Sequence, residues 1–381
     1  MNIFCTTIIN WNNFGTSLFE VVIDLRSDTL TKPTKRMRTA MFNAEVGDDV
    51  YAEDPTVKKL EKKAAELLGM ECALFVTSGT MGNLIAIMNH CDVRGCEAYC
   101  GDSSHTLLHE QAGAAQLAGV NLLPLRNNPD GSFDLNELQS KLRKDRDHEP
   151  ISKLVLVENT FNGSIVPQCW VKELVKFCKQ HDLKLHMDGA RLWNACVGSD
   201  NSAKELVSGF DSVSFCLSKG LGAPVGSMLC GSNSFIEKAR RVRKVLGGGM
   251  RQVGIIAAAG IVALEDVIPI LKEDHRRAAL LAHSIKEINS DVFQVNVNLV
   301  HTNMVFVNIN STVINAKDFA KRLRKISQDD EDDKIVVKCL ALNDSLVRFV
   351  LFYDVNDTDL MFAIRKIKYV IKEMDPKHQI S

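Results

Sequence analysis

Between residues 56 and 230, short continuously apolar runs alternate with helical stretches, and few architectures accept that alternation. TVKKLEKKAAELLG has the apolar spacing of an amphipathic helix and closes at Gly69. CALFVTSGT, KLVLVENT, LKLHMDGAR, SVSFCLSKG and VGSMLCG read as strands, with VKELVKFCKQHD as a helix separating two of them. Strands apolar on both faces must be covered on both faces, and helical crossovers do that when the strands run parallel. The expectation is a mainly parallel α/β sheet. Beyond a helical region over 233–290 the pattern changes: TNMVFVNI, the helix AKDFAKRLRKI, KIVVKCL, LVRFVLF and a last helix predict a small α+β domain. The chain then divides into an extension without fixed structure (1–23), an arm (24–55), a large α/β domain (56–275) and a small C-terminal α+β domain (276–381).

With 381 residues, 45% of them hydrophobic, the chain can bury more than one core. A formal net charge of -1 gives no electrostatic reason to expect nucleic acid or an anionic membrane as partner. No apolar run approaches the roughly 20 residues that span a bilayer. The 11 cysteines are odd in number and scattered, which does not suit a disulfide framework. The tightest group, Cys91, Cys96 and Cys100, lacks the CxxC pairs of a zinc site. Reduced thiols in a cytoplasmic protein are the expectation. The first twenty residues contain no Lys or Arg, so they resemble neither a signal peptide nor a mitochondrial presequence. The charged stretch QDDEDDK (328–334) reads as a solvated loop.

In an open parallel sheet, ligands bind beyond the carboxyl ends of the strands. Three runs place polar chemistry at that edge. CALFVTSGT ends in Ser78, Gly79 and Thr80 before an apolar helical stretch, which is either a plain helix cap or a phosphate seat of backbone N–H groups and hydroxyls. LKLHMDGAR ends in Asp188 and Arg191, an ion pair or a carboxylate aimed at a cationic ring nitrogen. SVSFCLSKG ends in Lys219 before a loop of three glycines and a proline, where a lysine either reaches water or is aimed at a carbonyl. Taken together, the three are the parts that pyridoxal 5'-phosphate requires: an amine, a carboxylate for the pyridine nitrogen and a phosphate anchor. A nicotinamide enzyme needs GxGxxG after an early strand, and GLGAPVG has the wrong spacing.

At these residues the chain resembles the threonine aldolases, which split β-hydroxy amino acids. The matching stretches are DLRSDTLTKPT, VGDDVYAEDPTV, SGTMGN, HTLLHEQAGAAQLAGV, ENTFNGSIVP, HMDGARLWNA, CLSKGLGAPVGS, RKVLGGGMRQVGIIAAAGI and TNMVFV, in order from 24 to 306, with a weaker match beyond. The resemblance implies the aspartate-aminotransferase-like fold of type I, with a mainly parallel seven-stranded sheet in the large α/β domain and a small α+β C-terminal domain. It implies pyridoxal 5'-phosphate as cofactor, with Lys219 as the Schiff-base lysine and Asp188 as the partner of the pyridine nitrogen. Arg191 would contact the ring oxygen or the substrate carboxylate. Ser78, Gly79 and Thr80 would hold the phosphate, helped by Arg251, and His105 would stack on the ring. Ser27 and Arg348 would fix the substrate carboxylate, and Tyr51 and His148 would lie near the substrate side chain. A homodimer or homotetramer with sites at the subunit interface is also implied. The reaction would be retro-aldol cleavage of L-threonine or L-allo-threonine to glycine and acetaldehyde, with His105, His148 or a water as base.

The chain departs from the family's pattern at several positions. His109 stands where Phe or Tyr is usual, Phe161 replaces the His of an ENTHN motif, and Leu351-Phe352 replaces Thr-His after the strand that bears Arg348. The last change makes the surroundings of Arg348 more apolar. His105, His109 and Glu110 could share a helix face as metal ligands do, but Thr106 stands where the metalloprotease pattern needs Glu, and no metal is expected. Two other readings stay open: a related protein that has lost catalysis and serves in binding, or another lyase reaction of the same cofactor on β-hydroxy amino acids.

Overall fold

In a computed structural model, residues 21–144, 146–326 and 334–379 are described. The first strand, β1 (Val21–Asp24), belongs to the C-terminal half of the molecule. Strands β2 (Cys72–Val76), β3 (Cys96–Gly101), β4 (Asn121–Leu125), β5 (Ile151–Glu158), β6 (Lys184–Asp188), β7 (Ser212–Cys216) and β8 (Ser227–Gly231) form one sheet. Their spatial order is β2-β8-β7-β6-β5-β3-β4. The pairs β3–β4, β3–β5, β5–β6 and β6–β7 are parallel, and only β8 runs against its neighbours β2 and β7. The carboxyl ends of β2, β3, β5, β6 and β7 therefore face one side, where the polar residues lie.

Local chemistry sets the covering helices. Helix Pro55–Leu68 starts with Asp54 accepting from the N–H groups of Thr56 and Val57. It stops at Gly69, whose φ of 64° suits a residue without Cβ. Its buried stripe of Val57, Leu60, Ala64 and Leu68 joins a core that includes Phe75, Phe215 and Met228. The helical run Gly254–Lys286 is apolar and long enough to cross a membrane by length and composition, but 61% of its apolar window is buried inside the protein. Ala257, Ala259 and Val262 pack in the same core, while Glu265 pairs with Lys63 at 3.1 Å. It is a core helix.

The C-terminal half has its own sheets. Strands β9 (Phe293–Gln294), β10 (Met304–Ile309), β12 (Leu340–Ala341) and β13 (Leu346–Val350) make an antiparallel sheet in the order β12-β13-β10-β9. Strand β11 (Ile335–Lys338) pairs in parallel with β1, Val21 opposite Ile335. Ile23 and Leu25 thereby enter a second core with Phe319, Phe349 and Ile367. The last three residues of the expected extension, 21–23, are thus strand; 1–20 lie outside the described residues, as does QDDEDDK except for Lys334.

Candidate active site

Lys219 leaves the end of β7 in a loop that folds back on itself. The Lys219 carbonyl accepts from Gly222 N–H at 2.8 Å, and Leu217 N–H donates to Gly226 C=O at 3.0 Å. Gly222 has φ 72°, and a Cβ there would lie 2.1 Å from the Tyr353 hydroxyl, so only glycine fits. The lysine is half-buried on this clamped loop. The helix Gly79–His90 begins beside it: a Cβ on Gly79 would lie 2.9 Å from the Sγ of Cys216, the last residue of β7. Ser78 caps that helix by accepting from Met81 N–H at 3.2 Å. Among the described residues no partner takes the N–H groups of Gly79 and Thr80, which leaves donors at a positive helix end.

Asp188 ends β6 one strand away and is buried. Its Oδ1 accepts from Ala190 N–H at 3.0 Å and its Oδ2 from Asn83 Nδ2 at 2.8 Å. The same Asn83 amide donates to Glu110 Oε1 at 2.8 Å, and Glu110 Oε1 lies 2.9 Å from His105 Nδ1. The bond to Glu110 raises the His105 imidazole above its ordinary range, against burial and with help from Asp188. Glu158, opposite Asp188 across the β5–β6 pair, accepts from the backbone N–H of His105 at 3.0 Å. Desolvation and then the Asp188 charge push Glu158 up to about 7. Ligand atoms of His105, Glu110 and Asp188 lie within 4.8 Å of one another. They are spanned by the His105 and Asn83 hydrogen bonds, and His109 is outside the group, its ring centroid 5.5 Å from that of His105.

A second cluster brings the arm and the small domain to the same edge. Arg191 makes a two-pronged pair with Asp28, Nε to Oδ2 at 2.8 Å and Nη2 to Oδ1 at 2.6 Å. Asn303 Nδ2 also approaches Asp28 Oδ2, at 3.4 Å. Burial alone would raise Asp28, but the Arg191 guanidinium outweighs it and holds the carboxyl below its usual range, with Lys219 adding to the effect. Arg348 reaches this cluster from β13. Burial and then the like charge of Arg191 pull its guanidinium below its usual range. One Nη of Arg348 donates to Arg26 C=O at 3.0 Å, while its buried Nε has no partner among the described residues. Ser27 sits next to Asp28 and accepts from Thr29 N–H at 3.2 Å. Leu351 and Phe352 are buried in the small-domain core and offer Arg348 no polar side chain.

Three expected residues are not joined to these clusters within the chain. Tyr51 is 70% exposed, with the Arg251 guanidinium 5.9 Å from its ring centroid. Arg251 itself pairs with Asp48 at 2.9 Å on an exposed surface. His148 lies in an exposed turn just before β5, at the opposite edge of the sheet from Glu158. The eight residues of β5 separate the two by roughly 25 Å at about 3.3 Å per residue. Within its own chain, His148 is therefore not brought to the carboxyl edge. Asp28, Asn83, Glu158 and Asn303 were not singled out in the sequence, and Glu110 was weighed there only as a metal ligand beside His105 and His109. Glu110 beside His109 and Glu158 in ENTFNG sat in quoted motifs, but nothing local marked their partners.

The model of the beta-eliminating lyase family matches residues 24–312. A probable low-specificity L-threonine aldolase 2 from Arabidopsis thaliana is 43% identical over 348 residues, 90% of this chain and 95% of that protein. The low specificity L-threonine aldolase of Escherichia coli strain K12 is 45% identical over 288 residues, 76% of this chain and 85% of that protein. Among solved structures, a Leishmania major threonine aldolase superposes with a TM-score of 0.74 at 20% identity, covering 91% of this chain and 99% of that one. A putative L-allo-threonine aldolase from Listeria monocytogenes gives 0.73 at 22% identity, covering 90% and 95%. These two structures share the fold with this chain.

Proposed function

Because the chain belongs to the beta-eliminating lyase family, we propose that it is a pyridoxal-phosphate-dependent carbon–carbon lyase that splits L-threonine, L-allo-threonine or both into glycine and acetaldehyde. The substrate class follows the names of relatives at 43% and 45% identity. One observation in the structure carries the reading. Arg348 lies beside a second guanidinium, Arg191, which takes both oxygens of the Asp28 carboxylate, and among the described residues the buried Nε of Arg348 lacks a partner. A half-buried cation set beside a like charge, with a buried donor to spare, suits a substrate carboxylate.

The donor set also fits the cofactor. Lys219 offers an amine for its aldehyde, the N–H groups of Gly79 and Thr80 suit its phosphate, and Asp188 is a buried acceptor for its ring nitrogen. Bound there, pyridoxal phosphate supplies an electron sink for the charge released at Cα. Arg348 and Ser27 grip the substrate carboxylate and so fix which bond at Cα is presented for cleavage. His105, with Nδ1 committed to Glu110, keeps Nε2 for the β-hydroxyl proton.

Arg251 and Tyr51 serve the site of a neighbouring subunit in a homodimer or homotetramer. Their exposure, with Phe42 at 89% and Val245 at 76% exposed, supports a covered surface in the assembly. The ten described cysteines are all free, which supports a reducing, cytoplasmic setting.

The test is product analysis. Protein supplied with pyridoxal phosphate and L-threonine is expected to form glycine and acetaldehyde in equal amounts. Formation of 2-oxobutanoate and ammonia instead would replace the aldolase reading with β-elimination.

A further inference from the structure

Asp188 is tied to a buried chain of polar groups that reaches the far end of the helix Gly79–His90. His90 Nε2 lies 2.7 Å from Ser212 Oγ, and Ser212 Oγ lies 2.8 Å from His186 Nδ1. His186 Nε2 lies 3.1 Å from Asn83 Oδ1, and Asn83 Nδ2 donates to Asp188 Oδ2 at 2.8 Å. His90, Ser212, His186 and Asn83 are all buried, His186 and Ser212 completely.

Hydrogen counting fixes the direction of every bond. Asn83 uses both amide hydrogens on the carboxylates of Asp188 and Glu110, so its Oδ1 faces donors: Ser214 Oγ–H at 2.7 Å and His186 Nε2. His186 therefore carries its proton on Nε2. Burial pushes both His186 and His90 down to about 3, so each ring is neutral and Nδ1 of His186 is an acceptor. Ser212 spends its one hydrogen on that Nδ1 and accepts from His90 Nε2–H. All four links run from His90 toward Asp188.

We infer that His90, Ser212, His186 and Asn83 act as positioning residues, a one-way hydrogen-bond chain that holds Asp188 oriented and ionised against the cofactor ring. The inference rests on the proposed role of Asp188. The chain is not a proton wire, because the Asn83 amide that ends it accepts on one atom and donates from another without passing a proton on. Each donor polarises the next, so loss of a middle link loosens the carboxylate without touching the substrate contacts.

The test uses full-length protein with 15N-labelled histidine, loaded with pyridoxal phosphate. Two solvent-protected imidazole N–H signals are expected, both of the Nε2–H tautomer and unchanged from about pH 6 to about pH 9. Ser212→Ala should shift both signals and lower kcat roughly tenfold with KM nearly unchanged. His90→Gln, which keeps an N–H donor, should retain most of the kcat that His90→Leu loses. Titration of either ring near neutral pH overturns the inference, as does the Nδ1–H tautomer on His186. An unchanged imidazole spectrum and kcat in Ser212→Ala also overturn it. The tautomer measurement stands even if Ser212→Ala does not fold. The product assay judges the aldolase reading separately, since the imidazole signals do not depend on which substrate is cleaved.

Discussion

The Asp28 carboxylate is fully buried and accepts two bonds from Arg191, so deleting its charge leaves a guanidinium without a counter-ion. Asp28→Asn should destabilise the protein by about 3–5 kcal/mol, the scale for breaking a buried pair from one side. The folded-state shift of Asp28 is downward from 3.8, so its stabilisation is complete above that value and is lost as pH falls through the lower folded value. Denaturant melts at neutral and acid pH check both points, and equal stability of wild type and variant at neutral pH would refute them. Arg348→Ala should raise KM and lower kcat together, because the same group binds the carboxylate and orients Cα. A charge-assisted bond of about 1.5–3 kcal/mol predicts a loss in kcat/KM of roughly ten- to a hundredfold. At this scale the sequence showed Lys219, Asp188 and Arg191, because each closes or follows a readable strand. Asp28 was hidden inside RSDT because its partner is 163 residues away. Asn83 looked like one polar residue in an apolar helix, and only packing turned its amide toward two carboxylates.

The carboxyl edge works because neighbouring strands end at matched heights: Glu158 and Asp188 are register partners across β5–β6, and Asp188 pairs with Ser214 across β6–β7. Three histidines in and around the large sheet are kept neutral. His90 and His186 are pushed down to about 3 and His275 to about 4, each from 6.5 and each by burial. The unfolded chain binds these protons first, so stability is complete above 6.5 and falls as pH drops toward the folded values. Each histidine contributes a slope of about 1.4 kcal/mol per pH unit in that window. His275→Gln should flatten the acid-side slope by about one third of the three-histidine total. Chemical denaturation across the window measures this, and a slope unaffected by the variant would remove His275 from the account. Most strands of the large sheet were legible from their apolar runs. Strands β3 and β4 were not singled out, because CEAYCG carries a buried Glu97 paired with Arg143 and NLLPL is an exposed edge broken by Pro124. Strand β1 was missed because its support is β11, more than 300 residues on.

For the whole molecule, the two cores meet at one edge: Lys219 and Asp188 come from the large sheet, Arg348 from the small domain and Asp28 from the arm. The change of pattern after 290 is visible in the sequence, whereas the joining of arm and small domain through Asp28, Asn303 and Arg348 needed the folded chain. The exposed Arg251 predicts a result that no single chain can give. In a dimer, Lys219→Ala and Arg251→Ala subunits mixed at random should regain about one quarter of wild-type activity, since half the dimers carry one intact site. Absence of any recovery, in a mixture shown to exchange subunits, would place Arg251 outside the partner's site. The most direct measurement of the central claim is acetaldehyde release by protein loaded with pyridoxal phosphate, given L-threonine, L-allo-threonine or D-threonine. Wild type should release it from at least one L-epimer and not from D-threonine, and Lys219→Ala should release none while losing the borohydride-fixed label that wild type carries on Lys219. A loaded protein that carries the label on Lys219 yet releases no aldehyde from either L-epimer contradicts the account.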